Sequence, residues 1–158
     1  MKRAFFFVAV LMTTAASWLV AMTIPSYRYD ELFARSDFVA IAEPLQTTHD
    51  TAERSTLRDI NPPSPVIGVE TEFRAELVLK GHKRDRFILH HYREVPPHLK
   101  PNEVIVDGVP LITFDSKKGH TYYLLFLVRE PDGRFEPTAG QTFVDGVSIW
   151  QLTNANAD

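Results

Sequence analysis

"GVETEFRAELVLKG", residues 68–81, has the strongest periodicity in the chain. Val69, Thr71, Phe73, Ala75, Leu77 and Leu79 take alternate positions, with Glu70, Glu72, Arg74, Glu76 and Lys80 between them. A period of two over this length predicts a long, half-buried antiparallel strand with an apolar face and a solvated one. The next residues, "KGHKRDR" (80–86), read as a turn. "FILHHY" (87–92) then returns as the hairpin partner.

Further strands lie on either side. "DFVAIAEPLQTT" (37–48) carries Phe38, Val39 and Ile41, which suit a pleated surface, and Pro44, which belongs at an edge or bulge. "VPLITF" (109–114) reads as a short strand, and "TYYLLFLVRE" (121–130) as an apolar, central one. Pro131-Asp132-Gly133 is a turn from which "RFEP" returns. "VDGVSIWQL" (144–152) is consistent with a short strand or a terminal helical turn. Before the first strand, Asp30–Arg35 fits one or two helical turns, with Asp30 and Glu31 at the N-terminus and Leu32 and Phe33 inward. Two stretches read as loops. One is the polar run His49–Pro65, ending in Pro62, Pro63 and Pro65. The other is Glu94–Gly108, with Pro96, Pro97 and Pro101. The expected fold class is mainly β: a small antiparallel OB-type barrel of five to six strands, with one short N-terminal helix, closed to hide its edges.

The chain's 158 residues suit one domain, and 44% apolar with 23% charged residues is ordinary globular usage. There is no cysteine, which excludes disulfides, thiolate metal sites and cysteine nucleophiles. Lys2 and Arg3 precede an uncharged run, Ala4–Ala21, the pattern of an export signal, with small residues offering cleavage after Ala16 or Ala21. The alternative is an uncleaved anchor, because about 18 uncharged residues approach membrane-spanning length. The expected organisation is a signal at 1–21 and one barrel domain at 22–158, exported to the periplasm or beyond. Formal charge is −3, and removing Lys2 and Arg3 from 17 basic residues leaves 15 against 20 acidic ones, a net of −5. That balance argues against a nucleic-acid partner.

Three segments together carry a resemblance: "SDFVAIAEP" (36–44), "FRAELVLKG" (73–81) and "TYYLLFLVREPDGRFEPTAG" (121–140). They resemble a group of small exported bacterial proteins with a netrin-like domain, the OB barrel also used by the tissue inhibitors of metalloproteinases. The resemblance implies the fold over about residues 30–152. The inhibitors' mechanism, an N-terminal cysteine placed on the target's zinc, does not carry over to a chain without cysteine, and no functional residue is transferred.

The candidate site residues are His90, His91 and Tyr92 on the returning strand, with Lys80, Lys83, Arg84 and Arg86 in the turn before it. Adjacent strand residues point to opposite faces, so the two histidines cannot share one metal without a bulge. One is expected inside and one outside. His49, His82, His98 and His120 are scattered, and no metal or cofactor is expected. Glu70, Glu72 and Glu76 share a face, on which neighbouring positions lie about 7 Å apart. That spacing does not exclude a glycosidase-like pair, but their setting reads as a solvent face. Asp115-Ser116 lacks any nucleophile elbow. The composition therefore points to a non-catalytic binding module of the cell envelope, engaging a protein or an anionic glycan. The alternative is a small metal-dependent or hydrolytic enzyme built on a strand histidine.

Overall fold

The 68–81 alternation lies within β3 (Ser64–Lys80), a strand of 17 residues around which the barrel is organised. The structure, a computed structural model, describes residues 27–57, 63–95, 111–118, 121–140 and 148–152. Its other elements are α1 (Tyr29–Arg35), β1 (Phe38–Pro44), β2 (His49–Leu57), β4 (Arg86–Glu94), a 3-10 turn at Ser116–Lys118, β5 (Tyr122–Arg129), β6 (Phe135–Pro137) and β7 (Ile149–Leu152).

Five strands close into a ring in the order β1-β3-β4-β6-β5, with β5 returning to β1. All pairings are antiparallel except β4–β6, which meet in parallel at Leu89 and Phe135. Three strands in sequence, then an exchange of the last two, is the order of an OB-type barrel, in which closure removes the edges that would otherwise invite aggregation. β2 extends the ring along the first half of β3, and β7 along β5.

The barrel is filled mainly by aromatic residues. Phe38, Phe73, Phe87, Phe114, Tyr123 and Phe135 belong to one buried cluster with Leu89, Ile112, Leu125, Leu127 and Ile149. The Phe73 and Phe114 ring centroids lie 4.9 Å apart edge-on, and those of Phe38 and Phe87 5.1 Å apart. Tilted and edge-on contacts suit the ring quadrupoles and add to the area buried. A second, smaller cluster lies outside the barrel wall, where Leu32 of α1 covers Val39 and Phe126.

The alternation in β3 changes phase near its end. Ala42 pairs with Ala75, Ile41 with Leu77 and Ala40 with Val78, so the register slips twice. Each slip adds a residue to β3 and turns the following side chains over. Val78 packs against the core, whereas Leu77 and Leu79, expected inside, are 51% and 46% exposed. Leu77 instead begins an outer apolar row that runs through Ile41 and Leu124 to Trp150.

Other expectations are also corrected. His49–Leu57 is not loop but strand β2, pairing with the start of β3. Its Thr, Ser and Glu content is that of a strand exposed on most of its length, which a reading based on apolar alternation passes over. Ser64 and Pro65 already belong to β3. Within "VPLITF", residues 112–114 are not strand, yet Ile112 and Phe114 plug the core. In α1, Leu32 is fully buried but Phe33 is 41% exposed, because seven residues bury only one narrow stripe against β1 and β5. The terminal segment is strand (β7). The expected export signal, the part of the expected second Pro-rich loop beyond Val95, His98, His120 and the C-terminal residues lie outside the described residues.

A buried imidazole as candidate functional site

β4 carries both histidines, and its pleat separates them as expected. His91 shares its face with Phe87 and Leu89 and points into the barrel. His90 shares the outer face with Ile88 and Tyr92. The outer position is nevertheless closed: His90 is 4% exposed and His91 1%.

His90 is covered by two neighbouring elements. Its Nδ1 lies 2.8 Å from Oε1 of Glu130, at the end of β5, and its Nε2 lies 3.0 Å from Oε2 of Glu53 on β2. Tyr92 donates its hydroxyl to Oε1 of the same Glu53 at 2.6 Å. Arg134, just past the β5–β6 turn, lies 3.3 Å from Oε2 of Glu130 and donates to Glu70 at 2.6 Å and to Asp132 at 2.7 Å. Glu70 also faces His49 at 3.7 Å. The result is a half-buried ionic network linking β2, β3, β4 and the β5–β6 turn. Burial and the Glu53 carboxylate push the Tyr92 phenol up to about 12.

Glycine makes this network possible. Gly68 of β3 sits opposite Tyr92, between β2 and β4. A Cβ there would meet Cβ of Glu53 at 2.8 Å and Oγ1 of Thr51 at 2.9 Å. The missing side chain lets Glu53 lie across β3 and reach His90 and Tyr92 on the strand beyond.

His91 has a different environment. Its Nε2 is 3.0 Å from the Thr71 hydroxyl, which is 2.8 Å from that of Thr48, and its ring meets Phe114 edge-on at 5.2 Å. Nδ1 is enclosed without an aligned hydrogen bond. Burial pulls the imidazole down to about 3, helped by His90 and weakly opposed by the Ile112 backbone, so His91 is a neutral core residue.

The remaining candidates divide between structural and open positions. Lys80 donates to the carbonyls of Phe33 at 2.6 Å and Ala34 at 3.1 Å, satisfying the last turn of α1 rather than facing a partner. Arg86 lies 3.5 Å from Glu72. Lys83 is exposed, and Arg84 folds back over the end of the barrel, above the rings of Phe38 and Phe135. Glu70 and Glu72 are half-buried ion-pair partners rather than a bare solvent face, while Glu76 pairs with Arg74 at 2.8 Å. Arg74 also bridges to the buried Glu43.

Glu53, Glu130 and Arg134 were missed by the sequence reading. The first lay in a presumed loop, the other two around a turn, and only the three-dimensional pairing brings them onto His90. Among the described residues no group of three or more His, Asp or Glu side chains is placed to hold a metal ion. No protein-family model matches the chain, and no curated protein matches it.

Proposed function

We propose that this chain is an exported, non-catalytic binding module of the cell envelope. It would engage a protein partner through the end of the barrel formed by the β3–β4 turn. The observation that carries this reading is the division among the candidate residues. Both histidines have their rings enclosed, whereas the turn leaves Lys83 exposed and Arg84 at the rim of an open cleft. A catalytic histidine needs a ring nitrogen within reach of substrate. His90 has a carboxylate at each nitrogen, and His91 is sealed in an aromatic core. The signal-like N-terminus supports export, and the netrin-like resemblance supports an interaction role for the barrel.

The test is crosslinking followed by affinity capture of the tagged full-length chain from its native envelope, read by mass spectrometry. A stoichiometric partner that is lost with Lys83→Glu plus Arg84→Glu supports the reading. Capture unchanged by the charge reversal, or no partner at all, refutes it.

A further inference from the structure

The end of the barrel beside the β3–β4 turn holds a cleft of about 500 Å³, with Asp37, Gly81, His82, Arg84 and Arg129 at its rim and Phe38 and Phe135 at its floor. Its shape follows from local constraints. Gly81 adopts φ +95°, and a Cβ there would stand 2.7 Å from the Asp37 carbonyl, so the turn passes close to the start of β1 only because this residue is glycine. Asp37 is fixed in turn, its Oδ2 accepting the backbone N–H of Arg129 at 2.9 Å.

Two guanidinium groups reach this cleft, one from the β3–β4 turn and one from the end of β5. That of Arg84 lies 4.7 Å from the Phe135 ring centroid and 5.4 Å from that of Phe38, and its Nε is buried without a hydrogen-bond partner. Ring contact accounts for the position of the cation but leaves a desolvated N–H unmet, and such groups are seldom left so. The Arg129 side chain is exposed, and no hydrogen bond or ion pair reaches its guanidinium among the described residues. His82 and Lys83 extend the basic rim. Several other arginines have carboxylate partners: Arg74 has Glu43 and Glu76, Arg93 has Asp50, and Arg134 has Glu70, Glu130 and Asp132, while Arg54 is held by the Thr51 and Glu53 carbonyls. At this end of the barrel two guanidinium groups, those of Arg84 and Arg129, line one cleft without a carboxylate partner among the described residues.

We infer that this cleft binds a carboxylate of an acidic peptide segment, held between the Arg84 and Arg129 guanidinium groups. Planar guanidinium forks match the planar carboxylate. The aromatic rings at the floor are already covered by Arg84 and are 1–2% exposed, leaving no open ring face for a sugar to stack on. An acidic peptide is therefore favoured over a glycan. The inference rests on the binding-module reading and specifies the ligand of that same surface.

The experiment titrates the full-length chain with a fluorescent hexaglutamate peptide at low salt, and in parallel with a uronate oligosaccharide and with inorganic phosphate. The expected result is saturable peptide binding that weakens about tenfold in Arg129→Ala and is partly restored in Arg129→Lys. It should also weaken with rising ionic strength. Arg54→Ala, at an exposed site on β2, should leave binding unchanged. Arg129 is exposed, so its variants test the site even if Arg84→Ala disturbs the packing of the barrel end. Peptide binding indifferent to Arg129 overturns the inference, as does binding of the oligosaccharide or phosphate alone. If envelope capture still depends on Lys83 and Arg84 while the peptide does not bind, the ligand class falls and the binding module stands. Loss of both removes both.

Discussion

Acidification should destabilise this protein well above the usual carboxylate range, and His91 is the reason. Its imidazole is held neutral inside the barrel and pulled down to about 3, from an ordinary value of 6.5. The unfolded chain therefore takes up a proton at this residue below about pH 6.5, and the folded chain does not until about pH 3. Stability rises with pH wherever the unfolded state binds more protons. The contribution from His91 is thus complete above pH 6.5 and is lost progressively as pH falls toward 3. The slope in that window approaches about 1.4 kcal/mol per pH unit, so a drop from about pH 7 to about pH 4.5 removes about 2–3 kcal/mol. That is a large share of the roughly 5–15 kcal/mol typical of a folded domain. Asp50 and Asp132, lowered by their Arg93 and Arg134 contacts, act in the same direction but only below their ordinary value of 3.8. The chosen window therefore largely excludes them. Urea unfolding of the native chain and of His91→Leu, at pH steps across this range, measures the effect. Leucine removes the titration, and Thr71 keeps its hydrogen-bonding contact with Thr48. The native chain should lose about 2–3 kcal/mol more than the variant over the window. Equal losses, or an NMR titration of His91 near its ordinary value in the folded protein, would refute the burial argument.

The network on the outer face gives further expected outcomes. Gly68→Ala places a Cβ against Glu53 and Thr51 and should lift β2 away from β3. Amide exchange along His49–Leu57 should then accelerate while the Phe73 and Leu125 amides stay protected. Glu53→Gln removes the carboxylate that accepts the Tyr92 hydroxyl, so ultraviolet titration should show the Tyr92 phenol moving from about 12 back toward its ordinary 10. His90→Ala leaves Glu53 and Glu130 facing each other without the ring between them and should cost about 2–4 kcal/mol by denaturant unfolding. Phe73→Ala opens a void among Phe87, Phe114 and Tyr123 and should cost about 3–5 kcal/mol in the same assay.

The parts of the barrel that were legible in the sequence are those where a single face meets the core. β3, the β4 return, β5 and the β6 hairpin all announce themselves by apolar period or by turn chemistry, because burial on one side imposes a spacing of two. β2 carried no such signal. Most of its side chains face solvent, and its place is fixed by backbone hydrogen bonds to β3 that any polar strand former can make. The bulges near Glu76 and Leu79 were hidden for a related reason. Leu77, Val78 and Leu79 are apolar in succession, so a phase change leaves the pattern of letters unbroken while placing Val78, rather than either leucine, inside.

The histidines mark the boundary of what local pattern conveys. That they point to opposite faces follows from strand geometry and needs no neighbours. That His90 is nevertheless buried depends on Glu53 and Glu130, respectively 37 residues before it and 40 after it, and on a glycine at position 68 that leaves room for one of them. None of these residues has an unusual local context. Their significance comes from β2 pairing with β3, β3 with β4, and the β5–β6 turn closing over the outer face. The same closure separates the basic turn from the ionic network. Lys80 is drawn to the end of α1 and Arg86 to Glu72, while Arg84 joins Arg129, a residue 45 positions away with no local pattern to group the two. A run of four cations within seven residues thus resolves into two structural contacts and two open charges. The open pair, Lys83 and Arg84, sits where β1, β5 and the β3–β4 turn converge on one end of the barrel.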